Sequence, residues 1–573
     1  MNTILSRLTL FGVISLLPLL VNAVEMPEPA AHPDLLNFNK QFETPRLVKM
    51  GERVHMAFGY DYANYGFIEG DDGIIIVDAG WHMDQTRVAW EDYRKLTNKP
   101  VKAVIYTHVH NDHVGGIRVI VPESEKRRIP VYAHNSWNGQ VDRQTSPLAG
   151  LVVQRSASQM GMYLSAGLEG SVGSSVGAMP RLEGGTSFIE PTDTFDEELE
   201  VNISGVRIKM IHAPGDTSEG IIVWLPDDKV MFGADSIVGI FPAIITARHE
   251  PTRDPYAMVE TLNFLTQFPT EYLIPGHGRP VVGREEVYQF VRDAHDGGLY
   301  LLDQTLRYMA MGLNADEIID RLELPPHIAN NPDLQFHYHR MEWKIRGIYA
   351  KYAGWTTTDP IKKTRLTDGE EAKRLVPLLG GVKATLKAAA AAYEANDPRW
   401  AATLATLALQ VAPGNAEAQT LKIAAYRAIA YNTRSANERH YLLTAANLMD
   451  GSLELPNTSE VIPASQFNTQ TTSRLLAIMG TRLNGKATWD EEMSVAVNIE
   501  GEADGYTLTV RHGVLVRDAG THNPVDATIT LSRDILVSII RKTATWETAL
   551  NDGDIKVDSG EKAFRRFTGF FEA

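Results

Sequence analysis

The ten residues Thr107-His108-Val109-His110-Asn111-Asp112-His113-Val114-Gly115-Gly116 constrain this chain more than any other segment. They follow an apolar run over 101–106, of which Val104-Ile105-Tyr106 reads as a buried strand. His108, His110, Asp112 and His113 then fall on the loop leaving that strand's C-terminal end, where α/β sheets place their chemistry. Imidazoles and carboxylates this close crowd and repel one another unless a cation binds them, and a divalent metal does so. The spacing allows two metals, with His108 and His110 turned one way and Asp112 and His113 the other. The plain alternative is a polar surface loop.

Downstream segments argue against that alternative. The run 208–211 leads into His212-Ala213-Pro214-Gly215-Asp216-Thr217-Ser218-Glu219-Gly220. Val230-Met231-Phe232 leads into Gly233-Ala234-Asp235, and Tyr272-Leu273-Ile274 into Pro275-Gly276-His277-Gly278. Each reads as a strand, a tight Gly-containing turn and a ligand-type side chain, with glycine permitting the turn. Upstream, 73–80 has the same form, and Asp78 ends its strand. His212 reads as a turn residue. Asp78 reads as a group that holds a ligand imidazole or the loop backbone.

This order of motifs resembles the metallo-β-lactamase superfamily, an αββα sandwich with a binuclear metal site. The resemblance implies that His108, His110 and Asp216 hold one metal. It places Asp112, His113 and His277 on the second, with Asp235 bridging. Most of the superfamily has His where this chain has Asp216. Asp216 directly follows the Pro-Gly turn and is the expected ligand, with Glu219 the competing carboxylate. Such a site implies hydrolysis, because zinc lowers the pKa of bound water to roughly 7 and two metals about 3.5–4 Å apart can act on one reacting group. Two Zn2+ ions are the expected cofactors, although iron or manganese would accept the same donors.

Composition sets the surroundings. With 573 residues the chain is too long for one core, so several domains are expected. Residues 1–23 carry Arg7, an apolar run and Val21-Asn22-Ala23, the pattern of a cleaved secretory signal peptide. The expected location is periplasmic or secreted. The chain has no cysteine, so burial and metal hold it together, not disulfides. A formal charge of −16 speaks against nucleic acid as a partner. No later segment has the length and apolarity expected of stable membrane insertion.

The expected domains are a metallo-β-lactamase-like catalytic domain over 24–300, a helical dimerisation domain over 301–452 and a small α+β, sterol-carrier-protein-like domain over 453–573. Within the first, 164–177 is rich in Gly and Ser and reads either as a flap over the active site or as a plain exposed loop. In the second, Ala-rich windows such as 384–395 and 401–411 have helical spacing, broken by Gly380-Gly381, Asp397-Pro398 and Ala412-Pro413-Gly414-Asn415. In the third, 505–516 reads as a hairpin with a His-Gly turn, and 527–532 as a strand leading to a helix N-capped by Ser532.

That three-part layout looks like the bacterial alkyl sulfatases, of which the chain resembles a divergent member. The stretch 343–355 is similar to the family's Arg-x-Ile-Tyr-x-x-Tyr-x-Gly-Trp run, and 506–516 to its C-terminal hairpin. The resemblance implies a homodimer through the helical domain, an apolar C-terminal surface for an alkyl chain, and an amphiphilic sulfate ester cleaved to alcohol and sulfate by metal-activated water. It makes Asp112 and Arg248 the catalytic residues. Arg248 matches a sulfate-binding arginine, and its planar fork suits an oxyanion. Its plain reading is a surface Arg paired with Glu250 or Asp254. Tyr163 and His249 are further candidates for the head group, whereas Trp343 and Tyr349 read as helix packing. Three departures stand out: Asp at both carboxylate ligand positions where the family has Glu, Ser236-Ile237-Val238-Gly239 in place of a polar run, and Thr356-Thr357-Thr358-Asp359-Pro360 after the Gly-Trp element. The alternatives are another hydrolase of the same fold, acting on a β-lactam, lactone or phosphoester, or a lipid-binding protein.

Overall fold

A computed structural model of the chain describes residues 25–123, 129–137, 149–181, 183–248, 253–456, 467 and 470–571. Residues 1–23, read above as a signal peptide, and His249 and Glu250 lie outside them. The chain divides into two compact units, one formed by 29–366 with 429–573 and the other by residues up to 28 with 367–428.

The larger unit begins with two facing sheets. The first is a seven-stranded sheet with the strands in chain order: β1 Arg46–Met50, β2 Val54–Phe58, β3 Tyr65–Glu69, β4 Ile74–Val77, β5 Val101–Ile105, β6 Val131–His134 and β7 Asp193–Phe195. It is antiparallel from β1 to β4 and parallel from β4 to β7. The second comprises β8 Glu198–Ile203, β9 Val206–His212, β10 Ile221–Leu225, β11 Val230–Val238, β12 Tyr272–His277 and β13 Val281–Val282, in the order β13-β12-β11-β10-β9-β8.

The sequence explains the layering. In β4 all four residues are apolar and buried, which a strand covered on both faces requires. Ile75 and Val77 point into the core between the sheets, where they meet Ile208, Met210, Ile221 and Val223. Ile74 and Ile76 point the other way, towards Ala89 and Tyr93 of the helix Met83–Arg94. In β10, Ile221, Val223 and Leu225 face inward. Ile222 and Trp224 face the outer core shared with the helices Pro255–Leu265, Arg284–Ala310 and Met341–Ala353. Helix, sheet, sheet and helix follow one another, as the motif order implied.

The same unit contains the C-terminal α+β domain, a five-stranded sheet in the order β16-β15-β14-β17-β18: β14 Glu492–Ile499, β15 Tyr506–Arg511, β16 Val514–Ala519, β17 Ala527–Leu531 and β18 Ile555–Ser559. The hairpin expected at 505–516 is present, and its turn residues His512 and Gly513 have φ of 50° and 79°. Such positive angles at both centre positions suit the twist of a two-residue hairpin. Ser532 accepts from Ile535 N and caps the helix Arg533–Ile540, as read from sequence. One face of the sheet packs on this helix, on Thr472–Gly480 and on Phe564 and Phe567 of Glu561–Thr568.

The smaller unit is helical. It includes Asp368–Leu378, Val382–Glu394 and Pro398–Val411, the last two packed through Leu386, Ala389, Leu404, Ala405 and Ala408. Asp397 accepts from Trp400 N and Pro398 opens the helix, so the Asp-Pro break starts it. Among the described residues no single helix is long and apolar enough to cross a membrane.

The 164–177 segment is exposed over 165–169, as one of its sequence readings has it, and packed over 174–177. Ser174, Ser175 and Val176 are buried. Ser175 N donates to Asn39 Oδ1 (2.8 Å), and Gly278 N to Val176 O (3.0 Å). Arg439 Nε donates to Gly170 O (2.8 Å). The later part of the segment is held in place, because distant parts of the chain satisfy its backbone groups.

Candidate metal centre

Strand ends bring the ligand-type residues together. β5 delivers His108 to His113, β9 delivers Asp216 and β12 ends on His277. Asp235 lies within β11, where the register shifts around Ala234, a residue with φ of 48°. That bulge re-aims the following side chain. Gly276 makes room for it, since a Cβ there would stand 2.1 Å from Asp235 Oδ1.

Two groups result. His108, His110, Asp216 and Asp235 each offer a ligand atom within 4.8 Å of the others, and so do Asp112, His113 and His277. His108 Nε2 lies 3.6 Å from Asp216 Oδ1, and His110 Nδ1 3.0 Å from Asp216 Oδ2. His277 Nε2 lies 3.4 Å from Asp112 Oδ2. Asp235 faces both groups. Its Oδ2 is 4.0 Å from His108 Nε2, and its Oδ1 is 3.3 Å from His113 Nε2 and 3.4 Å from His277 Nε2.

These residues fit a bound cation. Ligands at about 2.1 Å in tetrahedral array stand about 3.4 Å apart, close to the separations found. His113 Nε2 and Asp235 Oδ1 are buried without a hydrogen-bond partner, an expensive condition that an ion between them would relieve. The electrostatics agree. Burial works against a charged His277, yet the Asp235 and Asp112 carboxylates push it up to about 10. Burial likewise opposes charge on His113, and Asp235 and Asp78 raise it well above the ordinary histidine value. His108, buried and beside His113, is lowered to about 4. The carboxylates therefore draw positive charge into the site, as protons when nothing else supplies it.

Hydrogen bonds aim the imidazoles. Asp78 Oδ2 accepts from His113 Nδ1 (2.8 Å) and from Thr107 Oγ1 (2.7 Å). With its proton engaged there, Thr107 Oγ1 (3.1 Å away) accepts from His108 Nδ1. Tyr62 O accepts from His277 Nδ1 (2.8 Å). In all three the Nε2 lone pair is left for the centre. Asp78 thus holds a ligand ring, as read from sequence. Glu219 is outside both groups, and its Oε1 accepts from Val109 N (3.1 Å). His212 is outside them too, with Nε2 against Ser218 O.

Of the ligand-type residues, His110, Asp112, Asp235 and His277 line a small open cleft. Arg248, Arg253, Tyr62 and Tyr338 line it as well. Met160, Val176, Val238 and Ile240 give the cleft an apolar side. Val238 belongs to the stretch 236–239 read above as replacing a polar run. Tyr163 is half-buried and is not among the cleft residues. Arg253 Nη2 donates to Asp216 Oδ2 at 3.0 Å and Nη1 donates to Ala243 O. Sequence reasoning missed Arg253, Tyr62 and Tyr338. For Arg253 a signal existed: it precedes Asp254, which caps the helix Pro255–Leu265, and so lies at a fixed place beside the loop holding Arg248.

Known proteins resemble this chain over most of its length. Family models match for the metallo-beta-lactamase superfamily over residues 59–277, for alkyl sulfatase dimerisation over 314–451 and for the alkyl sulfatase C-terminal region over 461–573. A linear primary-alkylsulfatase from Pseudomonas sp. is 32% identical over 525 residues, covering 88% of this chain and 98% of its own. An alkyl/aryl-sulfatase from Saccharomyces cerevisiae is 24% identical over 564 residues, covering 96% and 86%. Among solved structures, a stereoselective inverting sec-alkylsulfatase from Pseudomonas sp. superposes with a TM-score of 0.80 at 24% identity, covering 95% of this chain and 87% of the other, a likeness of fold.

Proposed function

Because the chain belongs to the alkyl sulfatase family of the metallo-β-lactamase superfamily, we propose that it hydrolyses alkyl sulfate esters to an alcohol and inorganic sulfate at a centre of two zinc ions. The observation that carries this reading is the cleft itself. Arg248 and Arg253 line it together with His110, Asp112, Asp235 and His277, and Met160, Val176, Val238 and Ile240 are apolar residues of the same lining. A charged head and a hydrocarbon tail are the two halves of an alkyl sulfate.

His108, His110 and Asp216 would hold one ion, Asp112, His113 and His277 the other, and Asp235 both. Bound there, the ions make water more acidic and offset negative charge on the group attacked. The chain's own part is positioning. Arg248 and Arg253 present planar donor forks to the sulfate oxygens. Arg253 also pairs with Asp216 and so lies close to the first ligand group. The apolar side keeps water from the tail, whose burial contributes about 0.8 kcal/mol per CH2.

The further reading is a protein exported by its first 23 residues and working as a homodimer. The charged and apolar pattern of 1–23 supports the first. The match to the dimerisation model over 314–451 supports the second.

The deciding experiment is sulfate release from dodecyl sulfate by the purified protein, before chelation, after it and after zinc is restored. Release that a chelator abolishes and zinc restores is expected. A folded, zinc-loaded protein that releases none overturns the sulfate ester assignment.

A further inference from the structure

Against the cleft residues Arg248 and Tyr338 lies a side chain that no part of the foregoing chemistry uses. Gln159, on the helix Ala149–Met160, is fully buried. Its Oε1 accepts from Arg248 N (2.9 Å) and from Thr246 Oγ1 (3.2 Å), with Tyr441 OH at 3.4 Å. Its Nε2 donates to Tyr338 OH (3.2 Å). Its own carbonyl accepts from His440 Nδ1 (3.0 Å). The amide's orientation is not arbitrary. Arg248 N–H can only donate, so the oxygen must face it and the NH2 must face Tyr338.

That orientation fixes the hydrogens beyond it. Tyr338 OH and Tyr62 OH are 2.7 Å apart, and both tyrosines line the cleft. Tyr338 oxygen already accepts from Gln159. Of the two hydroxyl protons, one is used between the tyrosines, whichever donates. The other has no acceptor on Gln159 and is left for the cleft.

We infer that Gln159 is a positioning residue: it anchors the backbone at Arg248 and sets the Tyr338–Tyr62 pair to present one hydroxyl donor to an anionic head group. One buried amide thereby ties the backbone at Arg248 and the Tyr338–Tyr62 pair to the same helix. The inference rests on the reading of the cleft as a sulfate site. A leucine-like side chain at 159 would leave Arg248 N without its acceptor and free the tyrosines to turn. An ionised carboxylate would take a proton from Tyr338 and turn the pair from donor to acceptor.

The test is the affinity of the zinc-loaded full-length protein for inorganic sulfate, by calorimetry, alongside sulfate release from dodecyl sulfate. The variants are Gln159→Met, Gln159→Glu, Tyr338→Phe and the double variant Gln159→Met with Tyr338→Phe. Each Gln159 variant is expected to weaken sulfate binding by about tenfold or more, the worth of one to two hydrogen bonds, with metal content unchanged. The double variant is expected to be little worse than the poorer single one, because the two residues act as one unit. Gln159→Glu keeps size and acceptors, so it carries the test if Gln159→Met does not fold. Sulfate affinity unchanged in Gln159→Glu, or strictly additive losses in the double variant, would overturn the inference. A wild type that binds sulfate but cleaves no dodecyl sulfate removes the proposed reaction and leaves the Gln159 comparison readable. A wild type that binds no sulfate overturns both.

Discussion

Asp78 and His113 are joined by a 2.8 Å hydrogen bond from the ring Nδ1 to the carboxylate Oδ2, and the same carboxylate accepts from Thr107 N at 2.8 Å through Oδ1. One side chain thus orients a ligand ring and the first turn of the loop that carries His108 to His113. Through Thr107 Oγ1 it also sets the tautomer of His108. Asp78→Ala should lower metal affinity or turnover by about 10–100-fold, the usual loss when a ligand's partner is removed. Metal titration followed by activity at saturating zinc separates the two. Unchanged affinity in the variant would mean that Asp78 only fastens the loop.

The two carboxylates that compete on sequence separate clearly in space. Asp216 lies 3.0 Å from His110 Nδ1 and 3.6 Å from His108 Nε2. Glu219 instead holds Val109 N, and burial pushes its carboxyl above the ordinary value. Asp216→Ala should therefore lose one metal equivalent. Glu219→Gln should keep both, because an amide oxygen accepts from Val109 N as a carboxyl oxygen does. Metal content by elemental analysis of the two purified variants checks this, and the reverse pattern would exchange their roles.

Gly116 closes the ligand loop against two other segments. A Cβ there would stand 1.9 Å from Thr86 Oγ1 and 2.3 Å from Ala79 O, the latter backbone that cannot step aside. Thr86 Oγ1 is itself fixed by donating to Ala79 O at 2.6 Å. Gly116→Ala should destabilise the protein by about 1–3 kcal/mol or more, as overpacking does. Thermal unfolding of the metal-free protein reads this effect without the contribution of bound metal. An unchanged midpoint would show that the loop can shift.

How much of this was legible in the sequence depended on where each residue sits relative to a local signal. His108, His110, Asp112, His113, Asp216, Asp235 and His277 each follow an apolar run or a Gly turn, so a short window places them at a strand end. Val77 and Asp78 obey the same rule. Tyr62, Gln159 and Tyr338 have no such signature. They meet only because separate segments fold together, and single-sequence periodicity does not report pairing across the chain. The packing of 174–177 was not legible for the same reason: the composition of 164–177 suits a free loop, as 165–169 is, while Asn39 and Arg439, far away in sequence, satisfy backbone groups at Ser175 and Gly170. Packing across the chain is likewise absent from a linear reading: Leu301, Leu302, Ile345 and Ile348 join the core on the outer face of the second sheet.

The two cleft arginines should separate head-group binding from metal binding. Arg253 forms an ion pair with Asp216, and both are buried. Removing its charge leaves more net negative charge beside the metal ligands, so Arg253→Ala should retain its metals. Arg248 is likewise buried in the cleft wall and is absent from both ligand groups. Hydrogen bonds to charged groups contribute about 1.5–3 kcal/mol each, so loss of either guanidinium should raise the inhibition constant of inorganic sulfate roughly 10- to 150-fold. Turnover of bound ester should fall further in Arg253→Ala if its guanidinium gains strength as charge develops on the departing sulfate. Inhibition constants and metal content measured on the same preparations decide the matter. Metal lost together with sulfate affinity in Arg253→Ala would assign that residue to the support of Asp216 and leave Arg248 alone with the head group.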